Sequence, residues 1–260
     1  MHIVVAIKQV PDTTDIKIDP VTNTLIREGV ESIINPFDLY AIEEAIRLKE
    51  AHGGKVTAIS MGPPQVENAL RDAVAMGVDE IILVCGREFA GADTWATSLT
   101  LAAALKKLDD WDLVFFGQQA IDGDTAQVGP GVAAHLDLPQ CCFVRKVESI
   151  DGGKVTVQRL METGYDRLEL ATPAALTVVK EINEPRLPSL RGKRNARKAE
   201  MTVWNGADLE LDPNEIGLNG SPTQVIKIFS PQHEKTGEKF EVEPDEAADI
   251  LFKKLKELSH

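Results

Sequence analysis

The chain is short of the features that mark several large protein classes. It has three cysteines (Cys85, Cys141 and Cys142) with no Cys-x-x-Cys pair, and five scattered histidines. Neither a disulfide framework nor a zinc site is therefore expected, and the cysteine usage fits a reducing, cytoplasmic compartment. No apolar run approaches the roughly 18–20 residues that cross a bilayer, so membrane insertion is not expected. Basic residues are outnumbered. The formal net charge of −13 argues against a nucleic-acid binder and mainly favours solubility. Neither Gly-x-Gly-x-x-Gly nor Gly-Lys-Ser/Thr occurs, which argues against a nicotinamide dehydrogenase and a P-loop ATPase. The sequence shows no Ser/His/Asp or Cys/His set, no internal repeat and no low-complexity segment. Its start, Met1 to Lys8, has no basic region before a short apolar run, so it reads as a strand and no secretory signal is expected.

What is present is an alternation. The 260 residues, 43% of them hydrophobic, suffice for one large α/β domain with an appendage. Strand patterns at His2–Ile7, Lys55–Ser60, Glu80–Val84 and Asp112–Phe116 alternate with helical spacing. The helices are expected at Pro36–His52, Pro64–Met76, Asp93 to about Leu108, and Asp124–Leu136. Short apolar strands separated by amphipathic helices imply an open, mostly parallel sheet with helices on both faces, a Rossmann-like α/β fold. After Pro139 the pattern changes to strands at Phe143–Ile150, Lys154–Leu160, Tyr165–Leu170 and Ala174–Val179, expected as an antiparallel extension. From Asn183 the chain turns basic, with six Lys and Arg between Arg186 and Lys198, and then becomes loop-rich up to an amphipathic helix at Glu246–Leu258. The expected organisation is a nucleotide-binding core with its extension over 1–182, a partner-recognition loop over 183–200, and a C-terminal arm over 201–260 that needs something to pack on.

One stretch carries more chemistry than the rest. Leu113-Val-Phe-Phe116 leads through Gly117, Gln118, Gln119, Ala120, Ile121, Asp122, Gly123, Asp124, Thr125, Ala126, Gln127 and Val128 into a small-residue helix. A strand that ends in glycine, crosses a polar loop and enters a helix aims backbone N–H groups and the positive helix end at an anion. Ligands in open α/β sheets bind outside the carboxyl ends of the strands. The other loops there are Lys8–Thr14, Met61–Pro64 and Cys85–Thr94, joined by Asn35–Asp38. Two readings stay open on spacing alone: a nucleotide crevice, or ordinary turn and cap residues in which Asp122 and Asp124 are simply solvated.

Val5-Ala-Ile-Lys-Gln-Val-Pro-Asp12, Asn35-Pro-Phe-Asp38, Ala75-Met-Gly-Val-Asp79, the Gly117–Val128 loop and Asn183-Glu-Pro-Arg186 occur in this order. Together they resemble the beta subunit of an electron-transfer flavoprotein over essentially the whole chain. The resemblance implies a heterodimer with an alpha subunit that carries the redox FAD, and a C-terminal arm wrapped on that subunit. It places the family's nucleotide contacts on Ala6, Asn35, Pro36, Phe37, Asp38, Met61 and Gly117 to Val128, with Thr94 as a further candidate. It also makes the basic stretch a docking loop for partner dehydrogenases, with Leu187 or Leu190 as its anchoring leucine. No catalytic side chain and no metal are implied.

Conventional members hold a structural AMP in this crevice and carry bulkier, more acidic residues where this chain has Gly123 and Thr125. Asp-Gly-Asp-Thr-Ala-Gln-Val-Gly-Pro instead resembles the electron-bifurcating branch, which binds a second FAD. Glycine lets backbone approach a diphosphate and can adopt positive φ, and a threonine hydroxyl can donate to phosphate. Thr13 and Leu160 stand where conventional members carry a tyrosine and a glutamate, and point the same way. This branch implies hydride transfer from NADH to the FAD. One electron then passes to ferredoxin or flavodoxin, and the other to the alpha FAD, which serves an acyl-CoA dehydrogenase-type partner. The alternative is a conventional beta subunit with AMP and no redox centre of its own.

Overall fold

The computed structural model describes residues 1–12, 32–108, 110–226 and 237–258. Thr13 lies outside the described residues. The described residues up to 226 form one compact body, and those from 237 onward form a second.

The first body is built on a nine-stranded sheet. Its strands are β1 (His2–Ala6), β4 (Lys55–Met61), β5 (Glu80–Val84), β6 (Leu113–Gly117), β7 (Gln140–Asp151), β8 (Lys154–Met161), β9 (Gly164–Ala171), β10 (Ala174–Val178) and β11 (Met201–Trp204), in spatial order β11-β5-β4-β1-β6-β10-β7-β8-β9. A separate antiparallel pair joins β2 (Gln9–Pro11) to β3 (Ser32–Ile34). Every neighbour pair from β11 to β7 is parallel, and β7-β8-β9 are antiparallel.

Alternation along β1 sorts the two faces. Ile3 and Val5 join a cluster with α1 (Pro36–His52) and α2 (Glu67–Met76). Val4 and Ala6 point the other way, into a cluster with α3 (Thr94–Lys107) and α4 (Val128–Leu136). All five residues of β1 are buried. A strand apolar on both sides needs helices on both faces, and this sequence provides them. Helix α1 matches its expected bounds because Pro36 fixes its first turn and Gly53, at φ 75°, closes it.

Three expectations change. The strand expected over Ala174–Val179 in the antiparallel extension runs Ala174–Val178 and slots between β6 and β7, parallel to both. Its five residues are all buried, the signature of a central strand. The helix expected from Asp124 starts at Val128, because Asp124 and Ala126 sit at φ 54° and 53°, in the left-handed region no α-helix can use. The tail beyond residue 200, expected to be loop-rich, opens with β11 on the edge of β5, and it buries Leu209 and Ile216 against the α3 side of the sheet.

In the second body, α6 (Pro244–Leu258) exposes Leu251, Phe252, Leu255 and Leu258. Lys254 pairs with Glu238 and lies 5.7 Å from the Phe240 ring centroid, which ties Glu238 and Phe240 to the helix.

Candidate functional site

The chain order reverses around β1, which has β4 on one side and β6 on the other. Ala6 is level with Ile59 and with Phe116, so Ala6, Met61 and Gly117 end at the same edge of the sheet. A crevice opens outside the carboxyl ends of strands at such a reversal. Asn35, Pro36, Phe37 and Asp38 enter it from the start of α1, and Val128 and Thr94 from the first turns of α4 and α3. The structure therefore brings the expected crevice residues together. Leu187 and Leu190 lie on a separate segment.

The loop that closes the crevice is held from below. Asn35 is fully buried, and its side-chain oxygen accepts from the N–H of Ile121 at 3.1 Å. Its Nδ2 donates to the carbonyl of Gln119 at 2.8 Å and to Asp38 Oδ1 at 2.9 Å. The other oxygen of Asp38 accepts from the Lys8 N–H at 2.7 Å. Asn35 and Asp38, expected as ligand contacts, thus spend their side chains on the chain itself. Gly117 runs so close beneath α1 that a Cβ there would lie 2.7 Å from the Phe37 carbonyl carbon and 2.8 Å from the Asp38 nitrogen. Burial pushes the Asp38 carboxyl up to about 7, against the pull of the hydrogen bonds from Asn35, Lys8 and Gly117.

Both loop aspartates have partners. Lys8 Nζ donates to the two oxygens of Asp122 at 2.6 and 2.8 Å. Asp124 takes the amide of Gln119, whose Oε1 in turn accepts from Gln118 at 3.1 Å. Thr94 donates to Gln127 at 3.3 Å across the helix starts. Gly123 and Thr125 stand exposed at the tip. A Cβ at Gly123 would meet nothing within 4 Å, and the positive φ values of this loop fall on Asp124 and Ala126. A left-handed alanine costs about 1–3 kcal/mol and persists where surrounding structure imposes it, typically at binding sites.

The two helix starts differ in what they leave open. In α3 the Asp93 carboxylate accepts from the N–H groups of Trp95 at 2.9 Å and Ala96 at 3.1 Å. In α4 the N-cap is Gln127, with no side-chain cap bond. The first-turn N–H groups of a helix have no intrahelical acceptor, and an anion there meets both them and the positive end of the dipole. The arrangement can hold a phosphate or diphosphate against backbone, with Lys8 neutralising the nearby Asp122. Sequence reading placed Lys8 in a crevice loop but gave no sign of its partner, 114 residues away.

The basic segment is as firmly held. Asn183 donates to the Tyr40 carbonyl at 3.0 Å and to Glu44 at 3.1 Å. Arg186 reaches Glu43 and Glu50 of α1 at 2.7 and 2.6 Å. Helix α5 (Leu190–Ala196) lies against α2, with Ser189 capping it by accepting from the Gly192 N–H at 2.9 Å. Leu187 and Leu190 are each 89% exposed. Leu160 lies on β8, opposite Tyr165 of β9.

Comparison with known proteins places this geometry. The electron transfer flavoprotein domain model matches residues 22–209. The electron transfer flavoprotein subunit beta of Thermoanaerobacterium thermosaccharolyticum is 56% identical over 256 residues, 98% of this chain and 98% of that protein. The caffeyl-CoA reductase-Etf complex subunit CarD of Acetobacterium woodii is 49% identical over 259 residues, 99% of this chain and 98% of that one. Protein FixA of Azotobacter vinelandii is 47% identical over 238 residues, 89% of this chain and 85% of that one.

Proposed function

Because this chain belongs to the electron transfer flavoprotein family, as a beta subunit, we propose that its crevice holds FAD and that it bifurcates electrons. Electron transfer is the family's role. The observation that supports the finer reading is the Gly117–Val128 loop, which ends on an uncapped helix and carries no side chain at Gly123. Open backbone of this kind has room for two phosphates where a bulkier acidic residue would crowd the second.

When bound, FAD would supply acceptance of a hydride from NADH and one-electron delivery to ferredoxin or flavodoxin and to the alpha-subunit FAD. The chain's own residues bind and orient. The N–H groups of Val128 and Gly129 at the start of α4 would hold the diphosphate, Pro130 having no N–H and Gly131 donating to Gln127, and the Thr125 hydroxyl would donate to it. Lys8 holds the Asp122 charge in an ion pair, and Asn35 fixes the peptides of Gln119 and Ile121.

Two further surfaces complete the proposal. The apolar side chains of α6 pack on the alpha subunit in a heterodimer. Leu187 and Leu190 dock an acyl-CoA dehydrogenase-type enzyme, a class supported by the caffeyl-CoA reductase complex to which the Acetobacterium relative belongs. The protein would work in the cytoplasm.

The test is to release and quantify nucleotides from the purified heterodimer. Two FAD and no AMP per heterodimer are expected. One FAD with one AMP would overturn the bifurcating reading and leave a conventional electron carrier with a structural nucleotide.

A further inference from the structure

Segment 204–223 belongs by sequence to the C-terminal arm, yet it runs along loop 85–93, the crevice loop between β5 and α3. The Cys85 N–H donates to the Trp204 carbonyl at 2.8 Å, and the Leu218 N–H to the Ala90 carbonyl at 3.0 Å. The Gly206 N–H donates to Glu88 Oε1 at 2.8 Å. Gly217, at φ 57°, passes so close that a Cβ there would lie 2.0 Å from the Glu88 carbonyl oxygen. The last tie is at Asp93, the N-cap of α3. Its N–H donates to the Ser221 hydroxyl at 2.8 Å, and that hydroxyl donates to the Gly217 carbonyl at 2.6 Å. Its Oδ2 accepts from the N–H and the hydroxyl of Thr223 at 2.9 and 2.8 Å, while Oδ1 caps α3. Burial works to raise this carboxyl, but the hydrogen bonds from Ala96, Thr223 and Trp95 win and lower it. One carboxylate thus sets the helix with one oxygen and fixes the tail with the other. The next residue is Thr94, which reaches across to Gln127 at the start of α4.

We propose that Ser221 and Thr223 are positioning residues for the crevice nucleotide: through Asp93 they hold the start of α3, and so keep Thr94 beside Gln127 and the open N–H groups of α4. The inference rests on the nucleotide reading of the crevice, and it applies to FAD and AMP alike. The cap of α3 is tied to the tail before the nucleotide arrives. Ordering a wall in advance removes a cost that binding would otherwise bear, so the tie acts on how tightly the nucleotide is held. The two helix starts then have unlike roles. The first N–H groups of α3 are taken by the Asp93 carboxylate, so α3 offers the Thr94 hydroxyl, and α4 offers backbone.

The experiment uses the heterodimer, and the nucleotide it retains is quantified through cycles of dilution and filtration. Asp93→Asn keeps an oxygen for the α3 cap but turns an NH₂ group towards the Thr223 donors. It should speed loss of the crevice nucleotide roughly 10-fold, and Ser221→Ala roughly 5-fold, with the alpha-subunit FAD retained. Thr223→Val removes one exposed hydrogen bond and should speed loss roughly 2–3-fold. Thr223→Ser keeps the hydroxyl and should match the parent. Thr94→Val should itself speed loss, and adding Asp93→Asn should change little more, because the tie acts through Thr94. A tail that merely stabilised the fold would give effects that multiply with Thr94→Val and follow the melting temperature, and that result would overturn the positioning role. So would parental release from Asp93→Asn. Variants that no longer assemble with the alpha subunit would assign the segment to that interface and overturn it too. Should Asp93→Asn or Ser221→Ala fail to fold, the Thr223→Val and Thr223→Ser pair decides, since both keep the backbone tie. A parent heterodimer with no nucleotide beyond the alpha-subunit FAD would overturn the crevice reading itself, and this inference with it.

Discussion

The crevice loop at Gly117–Val128 and the basic segment at Asn183–Lys198 look alike in sequence, each polar, glycine-containing and poor in apolar residues. Both are anchored on α1, the first at its N-terminal end through Asn35 and Asp38, the second one to three turns on through Glu43, Glu44 and Glu50. They differ in what the anchoring leaves unsatisfied. The loop ends on N–H groups without a carboxylate cap, which call for an anion. The segment is tied to α1 through Asn183 Nδ2 and Arg186, leaves the Asn183 side-chain oxygen buried without a partner, and presents two bare leucines, which call for an apolar surface. For two such segments, the groups left without a partner are a better guide to the kind of ligand than composition is.

The sharpest way to separate the two anchors is pH, because Asp38 is shifted up while the Arg186-bound Glu43 and Glu50 are shifted down; Glu44, buried beside Asn183, is shifted up like Asp38. Burial raises Asp38 from 3.8 to about 7. Between those values the unfolded chain has released this proton while the folded chain still holds it. Stability from this group is therefore full below about pH 4 and is lost as pH rises through 7, by up to about 4 kcal/mol. At the docking clamp burial works to raise Glu43, but the hydrogen bonds from Arg186 and Arg47 win and lower it, and the Arg186 bond lowers Glu50. Their contribution is present above the ordinary carboxylate range and fades as pH falls through it. Urea unfolding between pH 4.5 and 8 should show the parent losing stability towards alkaline pH relative to Asp38→Asn. Parallel profiles for the two proteins would remove Asp38 from this role.

Next in size is Asn35→Ala, which should strike the crevice and spare the docking segment. It strands the N–H of Ile121 and the carbonyl of Gln119, and removes a donor to Asp38. Three hydrogen bonds are lost, each worth about 0.5–1.5 kcal/mol, so a loss of about 2–4 kcal/mol is expected, together with reduced nucleotide content. KM for the dehydrogenase should be unaffected. Denaturant titration and nucleotide quantification check the first pair of outcomes, and partner titration checks the last.

How much of this could be read from the sequence depends on the range of the interactions. Helix α1 and strand β5 match their expected bounds because the signals are local: Pro36 and Gly53 for the one, a short apolar run after Asp79 for the other. The loop at Gly117 was likewise legible as a strand-to-helix turn. Strand β10 was legible as a strand but not by its place, since Ala174–Val178 carries no mark of which neighbours it will pair with. At four residues, β11 is too short to show periodicity. In the site, the residues that hold the loop could not be recognised as holders. Lys8 and Asp122 are 114 positions apart, and Asn35 and Ile121 are 86 apart. The resemblance placed nucleotide contacts on Asn35 and Asp38, and only the fold shows that their side chains are hydrogen-bonded within the chain.

The smallest effect on stability is expected where the effect on binding should be large. Gly123→Asp adds a side chain at a position outside the left-handed region whose Cβ meets open space, so unfolding should change by no more than about 0.5 kcal/mol. The added carboxylate has no Lys8 of its own, since that ammonium is already paired with Asp122 at 2.6 Å. It would therefore place both bulk and an uncompensated negative charge where the second phosphate is proposed to lie. FAD content at the crevice should fall roughly 10-fold or more, while the alpha-subunit FAD is retained. The docking segment should keep its KM for the dehydrogenase, because nothing in its anchoring passes through residue 123. Undiminished FAD at the crevice would show that the loop tip does not face the diphosphate. The comparison would then have to rest on the uncapped start of α4 alone.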